Sequence, residues 1–327
     1  MKKKYRVFSL FSGGLDSVLS TVIMQNLGYE VIPINIKTPF FSPTKAIDAA
    51  KLNNLHLQVF DITERYLKML QNPRYGYGKN MNPCIDCHGL MMKVAAEKMD
   101  EFDIDFIISG EVLGQRPMSQ KKNSLQAVAK LSSIRDLIIR PLSQKLLEDT
   151  KPIRDGWVDK SQMLDFQGRG RRRQMNLAKE LNIEDFESPG GGCLLTEKVY
   201  SIRLKDLISH KMFSLQNILF LKDGRHFRLD EKTKLIVGRH KSDNDILSQF
   251  IIDEIILKTK YSTGPLGILI SEKVTNENIE ISAKILLRYN SKADNIAIVS
   301  YGKNNNLNSD IEVEKMKNEE IDKFRII

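Results

Sequence analysis

Short apolar runs alternate with segments of helical spacing through the first part of the chain. YRVFSLF (residues 5–11) precedes a helical pattern that starts after SGGLDS, and EVIPINI (30–36) precedes PTKAIDAAKLNN (43–54). LHLQVFDI (55–62) leads through the loop NPRYGYGKNMNP (72–83) into the helical DCHGLMMKVAAEKMDEF (86–102), and the strand-like DFIISG (105–110) and LIIRPL (137–142) follow. Strands that alternate with helices need right-handed crossovers, so the pattern predicts a parallel sheet covered on both faces. The expected fold class is α/β, a doubly wound parallel sheet.

From about Leu146 to Glu187 the pattern turns polar and helical and carries the basic run GRGRRRQ (168–174). The glycine-rich SPGGGC (188–193) cannot continue a helix. Beyond it, ILFLKDGRHFRL (218–229), KTKLIVGRH (232–240) and GPLGILIS (264–271) read as short strands with DG and SDND turns, beside a helix from Asn278 to Tyr289. GKNNNLNSD (302–310) reads as a turn. These shifts predict a first domain at 1–196, with its helical Arg-rich segment at 146–187, and a smaller α+β domain at 197–327.

The 327 residues suffice for two such cores, and a formal net charge of +9 draws the chain toward polyanions, nucleic acid first. No apolar stretch reaches the roughly 18 residues of a membrane span. The apolar run after Met1-Lys2-Lys3-Lys4 is too short for a signal peptide, so it reads as a first strand. Three cysteines, an odd number in a chain too large to need disulfide staples, predict a reducing, cytoplasmic setting.

SGGLDS (Ser12–Ser17) stands where a strand hands over to a helix, and in an open α/β sheet that is where anions bind. Gly13 and Gly14 let backbone N–H groups close around phosphate oxygens. Ser12 and Ser17 add hydroxyls, and Asp16 can hold Mg²⁺ or cap the helix. A plain N-capped helix start would use similar residues. Neither GxGxxG nor GxxxxGK[ST] is present at this seam, so the expected ligand is a polyphosphate bound in another way.

In that position SGGLDS resembles the signature of the PP-loop ATP pyrophosphatases, an adenine nucleotide alpha hydrolase-like fold that holds the pyrophosphate of ATP while AMP is transferred. ISGEVLGQRPMSQ (108–120) and IIRPLSQK (138–145) resemble the tRNA 4-thiouridine synthetases within that group, and the likeness runs from about Tyr5 to Thr196. It implies nucleotide contacts at Gly110 and Gln120, and an adenine pocket lined by Leu10, Phe11, Asn35 and Ile36. Leu10, Phe11 and Ile36 would equally suit a core. The implied activity is an ATP- and Mg²⁺-dependent tRNA sulfurtransferase, in which adenylation of a uridine oxygen precedes its replacement by sulfur. The sulfur donor would be sulfide or a cysteine desulfurase, and a homodimer is one arrangement that such enzymes use to span a tRNA.

Cys84 and Cys87 form a CxxC before a helix, and Cys193 follows in PGGGC. A helix start lowers thiol pKa and favours thiolate chemistry. Zinc would need a fourth ligand such as His88, a redox pair would want another βαβ context, and buried inert thiols are the bland alternative. The family resemblance adds a [4Fe-4S] cluster on Cys84, Cys87 and Cys193, or a persulfide on Cys193. Either way Cys193 is expected at the chemistry.

Arg169, Arg171, Arg172 and Arg173 are the densest positive cluster and suit RNA phosphates, although a charge run is often only a solvated face. The stretch from Leu221 to Leu247 resembles the small NFACT-type RNA-binding domain, with Arg225 and Arg239 in two GRH triplets. The resemblance makes the second domain a tRNA-holding accessory.

Overall fold

Arg6–Leu10 forms β1, an apolar run buried on both faces as befits a central parallel strand. Val7 packs with Met24 and Phe106 on one face, and Phe8 with Met92 and Val128 on the other. The computed structural model describes residues 3–183, 192–303 and 306–326. Ser188–Gly191 of the glycine-rich turn, and Asn304 and Asn305 of the Asn-rich one, lie outside the described residues. The chain divides into two units between Cys193 and Leu194, three residues before the domain start expected at 197.

In the first unit β1 leads through α1 (Leu15–Asn26), β2 (Glu30–Lys37), α2 (Thr44–Leu52) and β3 (Gln58–Asp61). Then follow α3 (Thr63–Gln71), α4 (Cys84–Glu97), β4 (Phe106–Ser109), α5 (Lys122–Leu131) and β5 (Ile138–Ile139). The five strands are parallel in the order β3-β2-β1-β4-β5. The chain therefore works outward from β1 on one side and returns on the other as β4. That reversal opens a crevice beyond the carboxyl ends of β1 and β4.

Two helices of this unit were not foreseen. In α3 the buried Tyr66 and Leu70 stand four residues apart, and in α5 Leu125, Val128 and Ala129 follow helical spacing. Among its described residues, the expected helical segment at 146–187 holds only α6 (Lys151–Arg154) and α7 (Arg172–Glu180) as α-helices. Between them the backbone is tied to distant strand ends: Leu164 N–H donates to Pro141 O, Phe166 N–H to Leu142 O and Gly168 N–H to Leu113 O. Those long-range bonds replace helical ones and carry α7 onto α1, where Ala178 joins Val18 and Leu19 in one cluster.

The second unit contains α8 (Lys198–Ser209), α9 (Leu215–Leu219), β6 (Arg225–Asp230), β7 (Thr233–Val237), α10 (Lys241–Ser248), β8 (Ile255–Thr259) and β9 (Gly267–Ser271). It ends with α11 (Asn276–Arg288), β10 (Ile296–Gly302), β11 (Ser309–Glu314) and α12 (Asn318–Ile321). Its strands form an antiparallel sheet in the order β11-β10-β8-β9-β7-β6. Ala283, Leu286 and Leu287 of α11 lie in a common core with Leu235, Leu257 and Val299 of the strands. A Thr275–Asn278 capping box starts that helix.

Two sequence expectations are corrected here. Ile218 and Leu219 end α9 instead of starting a strand, and SDND lies inside α10 instead of forming a turn. Ser214 caps α9, accepting from Asn217 N–H, and Asp243 stands in the first turn of α10, where a carboxylate favours the helix dipole. Among the described residues no helix is long and apolar enough to cross a membrane.

Candidate functional site

The loop after β1 is knitted by its own hydroxyls. Ser17 Oγ accepts from Ser12 N–H at 3.2 Å and donates to Gly14 O at 2.8 Å, and Gly14 N–H approaches Ser12 Oγ at 3.4 Å. Gly13 has φ +78°, which disfavours any side chain, and a Cβ there would meet Lys45 O at 2.5 Å. Gly14 is the N-cap of α1, so Asp16 is free of the capping role considered for it. At the other lip of the crevice, a Cβ on Gly110 would meet the Asp16 backbone at 2.5 Å. Gly110 thus lets the end of β4 touch the start of α1.

Asp16 is held by residues that sequence reading did not assign to it. Its Oδ2 accepts from Gln115 Nε2 at 2.6 Å and stands 3.5 Å from an Arg171 guanidinium nitrogen, while Gln174 Nε2 donates to Gln115 Oε1 at 3.0 Å. Among the described residues Asp16 Oδ1, Arg171 Nε and Gln174 Oε1 are buried without a hydrogen-bond partner. Asn35 donates to Phe11 O at 2.8 Å and leaves its own Oδ1 unpaired, and the buried Gln120 leaves Oε1 unpaired. Buried polar atoms in native proteins are normally satisfied. Five orphans on residues of and around the loop fit a polar ligand such as a nucleoside polyphosphate with its cation. Leu10 and Ile36 pack as apolar core neighbours, and the Phe11 side chain lies in the cluster beneath α1.

Cys84 and Cys87 occupy the first turn of α4, three residues apart and so on neighbouring positions of one face. Asn82 Nδ2 donates to Cys84 Sγ at 3.1 Å. Burial pushes the Cys87 thiol up, and Cys193, Cys84 and Asp86 add to this, against the Tyr66 hydroxyl, which lowers it. The expected lowering by the helix start is therefore overturned at Cys87: desolvation outweighs the dipole. Burial also drives the Tyr66 hydroxyl far up, followed by Cys87, Cys193 and Cys84, and its oxygen makes no hydrogen bond of standard geometry. Tyr66 thus stands within electrostatic reach of all three thiols, although Cys193 is over one hundred residues away in sequence.

Three soft donors, Cys87 buried and Cys84 and Cys193 half-buried, suit a metal-bound group, because coordination restores the thiolate that burial disfavours at Cys87. Among the described residues, however, no three His, Cys, Asp or Glu side chains are grouped to hold one ion. His88, the fourth ligand considered for zinc, has its Nδ1 2.9 Å from Glu111 Oε1, which leaves Nε2 as the ring nitrogen that could bind a metal. Glu111 also accepts from Arg140 Nε at 2.9 Å and Ser109 Oγ at 3.1 Å.

The arginine run separates into different roles. Arg171 reaches Asp16, while Arg173 pairs with Asp165 and lies 4.4 Å over the Phe166 ring. Arg169 and Arg172 are exposed. In the second unit Arg225 and Arg239 flank the β6–β7 hairpin, and Arg239 is bound by Asp243 at 2.6 Å.

A parallel sheet whose first strand ends in a hydroxyl- and glycine-lined loop at the reversal of strand order defines a PP-loop-type α/β nucleotide domain. Residues 3–145 match the family described as Thiamine biosynthesis protein (ThiI), and residues 224–325 match the NFACT protein RNA binding domain. Over its first part the chain is thus similar to the ThiI PP-loop family, and behind that part it is similar to the NFACT-type RNA-binding domain. It is 31% identical over 167 residues to the tRNA-specific 2-thiouridylase MnmA of Helicobacter hepaticus, covering 45% of this chain and 48% of that protein. The chain therefore spans about half the length of that curated relative.

Among solved structures, a predicted subunit of tRNA methyltransferase from Methanocaldococcus jannaschii aligns at 22% identity and TM-score 0.36, covering 54% of this chain and 75% of that one. The U34-tRNA thiolase NcsA from Methanococcus maripaludis, determined with its [4Fe-4S] cluster, aligns at 16% identity and TM-score 0.34, covering 58% and 61%.

Proposed function

We propose that the protein is an ATP-dependent tRNA thiouridine synthetase. The reading rests on one observation above all: the phosphate loop with its orphaned polar atoms and the three electrostatically coupled thiols occur in the same unit. The ThiI match and the thiouridylase relative support the substrate class, and the NFACT-type domain supports RNA.

In this reading the backbone N–H groups of Gly13 and Gly14, with Ser12 and Ser17, hold the pyrophosphate portion of ATP. Asp16, oriented by Gln115, holds Mg²⁺, and Arg171 offsets the negative charge that grows on the leaving group. A uridine carbonyl oxygen attacks the α-phosphorus, the α–β bond breaks and pyrophosphate leaves. Sulfur then attacks the ring carbon, and AMP departs with the former oxygen. Placement of the two reactants supplies much of the acceleration.

Cys84, Cys87 and Cys193 would hold a [4Fe-4S] cluster, which supplies the sulfide nucleophile when bound. The donor outside the protein is sulfide or a cysteine desulfurase. A persulfide carried by Cys193 is the alternative route. ThiI resemblance favours carbon 4 and the MnmA relative carbon 2, so both thiouridines belong in the assay.

The test measures tRNA-dependent pyrophosphate release and the thionucleosides formed, by mass spectrometry after anaerobic purification. Cys193→Ala is expected to abolish thiouridine while retaining pyrophosphate release; full thiolation by this variant would remove the proposed sulfur chemistry. Cys84→Ala assayed with added dithiothreitol separates the routes: it stops the cluster route, whereas a persulfide on Cys193, whose outer sulfur attacks the ring carbon, leaves an S–S bond that the added dithiol can break in place of a protein thiol. Arg171→Gln should lower pyrophosphate release by about 10²-fold, as loss of one charge-stabilising donor does, with tRNA affinity within about twofold because no phosphate contact to RNA is lost. A selective loss of tRNA affinity would return Arg171 to the RNA surface.

A further inference from the structure

The second unit contains a cavity of about 310 Å³ that the thiolation reading does not use. This is at the small end of ligand cavities, about 300–1,000 Å³, and gives room for a single nucleotide unit. It explains the twin GRH triplets. Because β6 and β7 pair antiparallel, with Arg225 opposite Val237, the start of one triplet lies beside the start of the other. Arg225 and Arg239 consequently share the cavity wall with Arg203 of α8, Arg325 near the end of the chain, and Tyr289.

Four guanidinium groups on one small cavity repel one another unless each is answered. Arg203 donates to Leu221 O at 2.7 Å and Gly224 O at 2.9 Å. Arg239 is bound by Asp243, and Arg325 donates to the Tyr289 hydroxyl at 2.9 Å with Asp322 at 3.3 Å. Arg225 differs. Its guanidinium lies 4.4 Å over the Tyr289 ring and reaches only Gly238 O, at 3.4 Å, among the described residues. Burial above all, with the charges of Arg239 and Arg325, works against its proton, while Tyr289 and Asp243 favour it.

Two further lining residues are left incomplete. His226 is 1% exposed, donates Nε2–H to Asp223 O at 2.8 Å and has no partner at Nδ1 among the described residues; Arg203, 8% exposed, has none there at Nε. Polar atoms this deeply buried are normally satisfied by protein, water or a ligand.

We propose that this cavity holds one phosphate-bearing nucleotide of the bound RNA, with Arg225 as its phosphate ligand backed by Tyr289. Arginine presents paired N–H donors that match phosphate oxygens, and stacking on an aromatic ring fixes the plane of that fork. The inference rests on the RNA-binding reading of the second unit and adds the place and chemistry of one contact.

The test uses the full chain and a short fluorescent single-stranded RNA, with affinity measured by anisotropy across a series of salt concentrations. Arg225→Gln is expected to weaken binding about tenfold at ~0.1 M salt and to lower the slope of log affinity against log salt by about 1. Lys258→Gln, an exposed cation of β8 outside the cavity, should change affinity less than about twofold under the same conditions. Arg225→Lys keeps the charge and loses the fork, so the slope should be retained and the affinity fall in between. Thermal melting of each variant separates misfolding from lost contact, and the lysine variant still reports if the glutamine variant unfolds. Wild-type binding with Arg225→Gln and Lys258→Gln alike would overturn the cavity and leave the RNA reading standing. No binding by the wild type would overturn both.

Discussion

Replacing Gly13 by alanine is expected to reduce pyrophosphate release by more than about 10²-fold, the scale of losing an aligned charge-stabilising donor, and to destabilise the first unit. Two independent effects act at this position. Its φ of +78° places a Cβ in the left-handed region, and that Cβ would lie 2.5 Å from Lys45 O and 2.8 Å from Lys45 C. The obstacle is backbone at the start of α2, which cannot swing aside as a side chain can. Strain and overpacking together cost about 2–4 kcal/mol, or roughly 5–15 °C in the thermal transition.

Gly14 supplies the control. It has ordinary extended geometry, with φ −77° and ψ 155°, and a Cβ there meets only Ser12 Oγ at 3.5 Å. Gly14→Ala should therefore melt close to the wild type. If Gly13→Ala also kept its melting temperature and its pyrophosphate release, the loop geometry described here would be wrong.

The second large effect concerns Arg140, which is not part of the nucleotide loop. Arg140→Leu should destabilise the protein by about 3–5 kcal/mol at neutral pH, because it leaves a buried carboxylate without its cation. Burial works to raise the Glu111 carboxyl, but Arg140 first and His88 next overcome it and bring it down to about 2. The folded value is thus below the ordinary value of 4.5. The stabilisation is complete above the unfolded value and is lost as pH falls through the folded one. Without Arg140 the burial effect remains and folding no longer favours the ionised acid.

Urea denaturation of both proteins at neutral pH and in the window between the two carboxyl values would measure this. The difference between them should narrow as the pH falls. A constant difference would mean that Arg140 acts only by packing. The double variant Arg140→Leu/Glu111→Met should lose less than the sum of the single ones, since it removes the charge along with its partner.

Much of the site was legible from local sequence. SGGLDS could be placed between strand and helix because apolar alternation ends just before it and glycines allow the turn, and Cys84 and Cys87 could be placed on one helical turn by their spacing. The two GRH triplets were visible as a repeat, though their common cavity was not. Short-range regularities of this kind are written in windows of a few residues, where propensity and periodicity operate. The same windows misread SDND, where polar residues that suit a turn equally suit the first turn of α10.

Sequence by itself determined the alternating strands and helices, the place of the phosphate loop, the CxxC on a helix start and the basic, two-part character of the chain. Only the tertiary structure decided that Gln115 and Arg171 attend Asp16, that Arg171 leaves the arginine run to do so, and that Tyr66 stands within electrostatic reach of Cys193 and the CxxC. It also decided that Glu111 is paired with Arg140 and His88 and that four arginines meet in one cavity. The physical reason is that these contacts join residues brought together by strand order and by irregular backbone anchored over long range. Such pairings depend on which elements become neighbours, which no local period records.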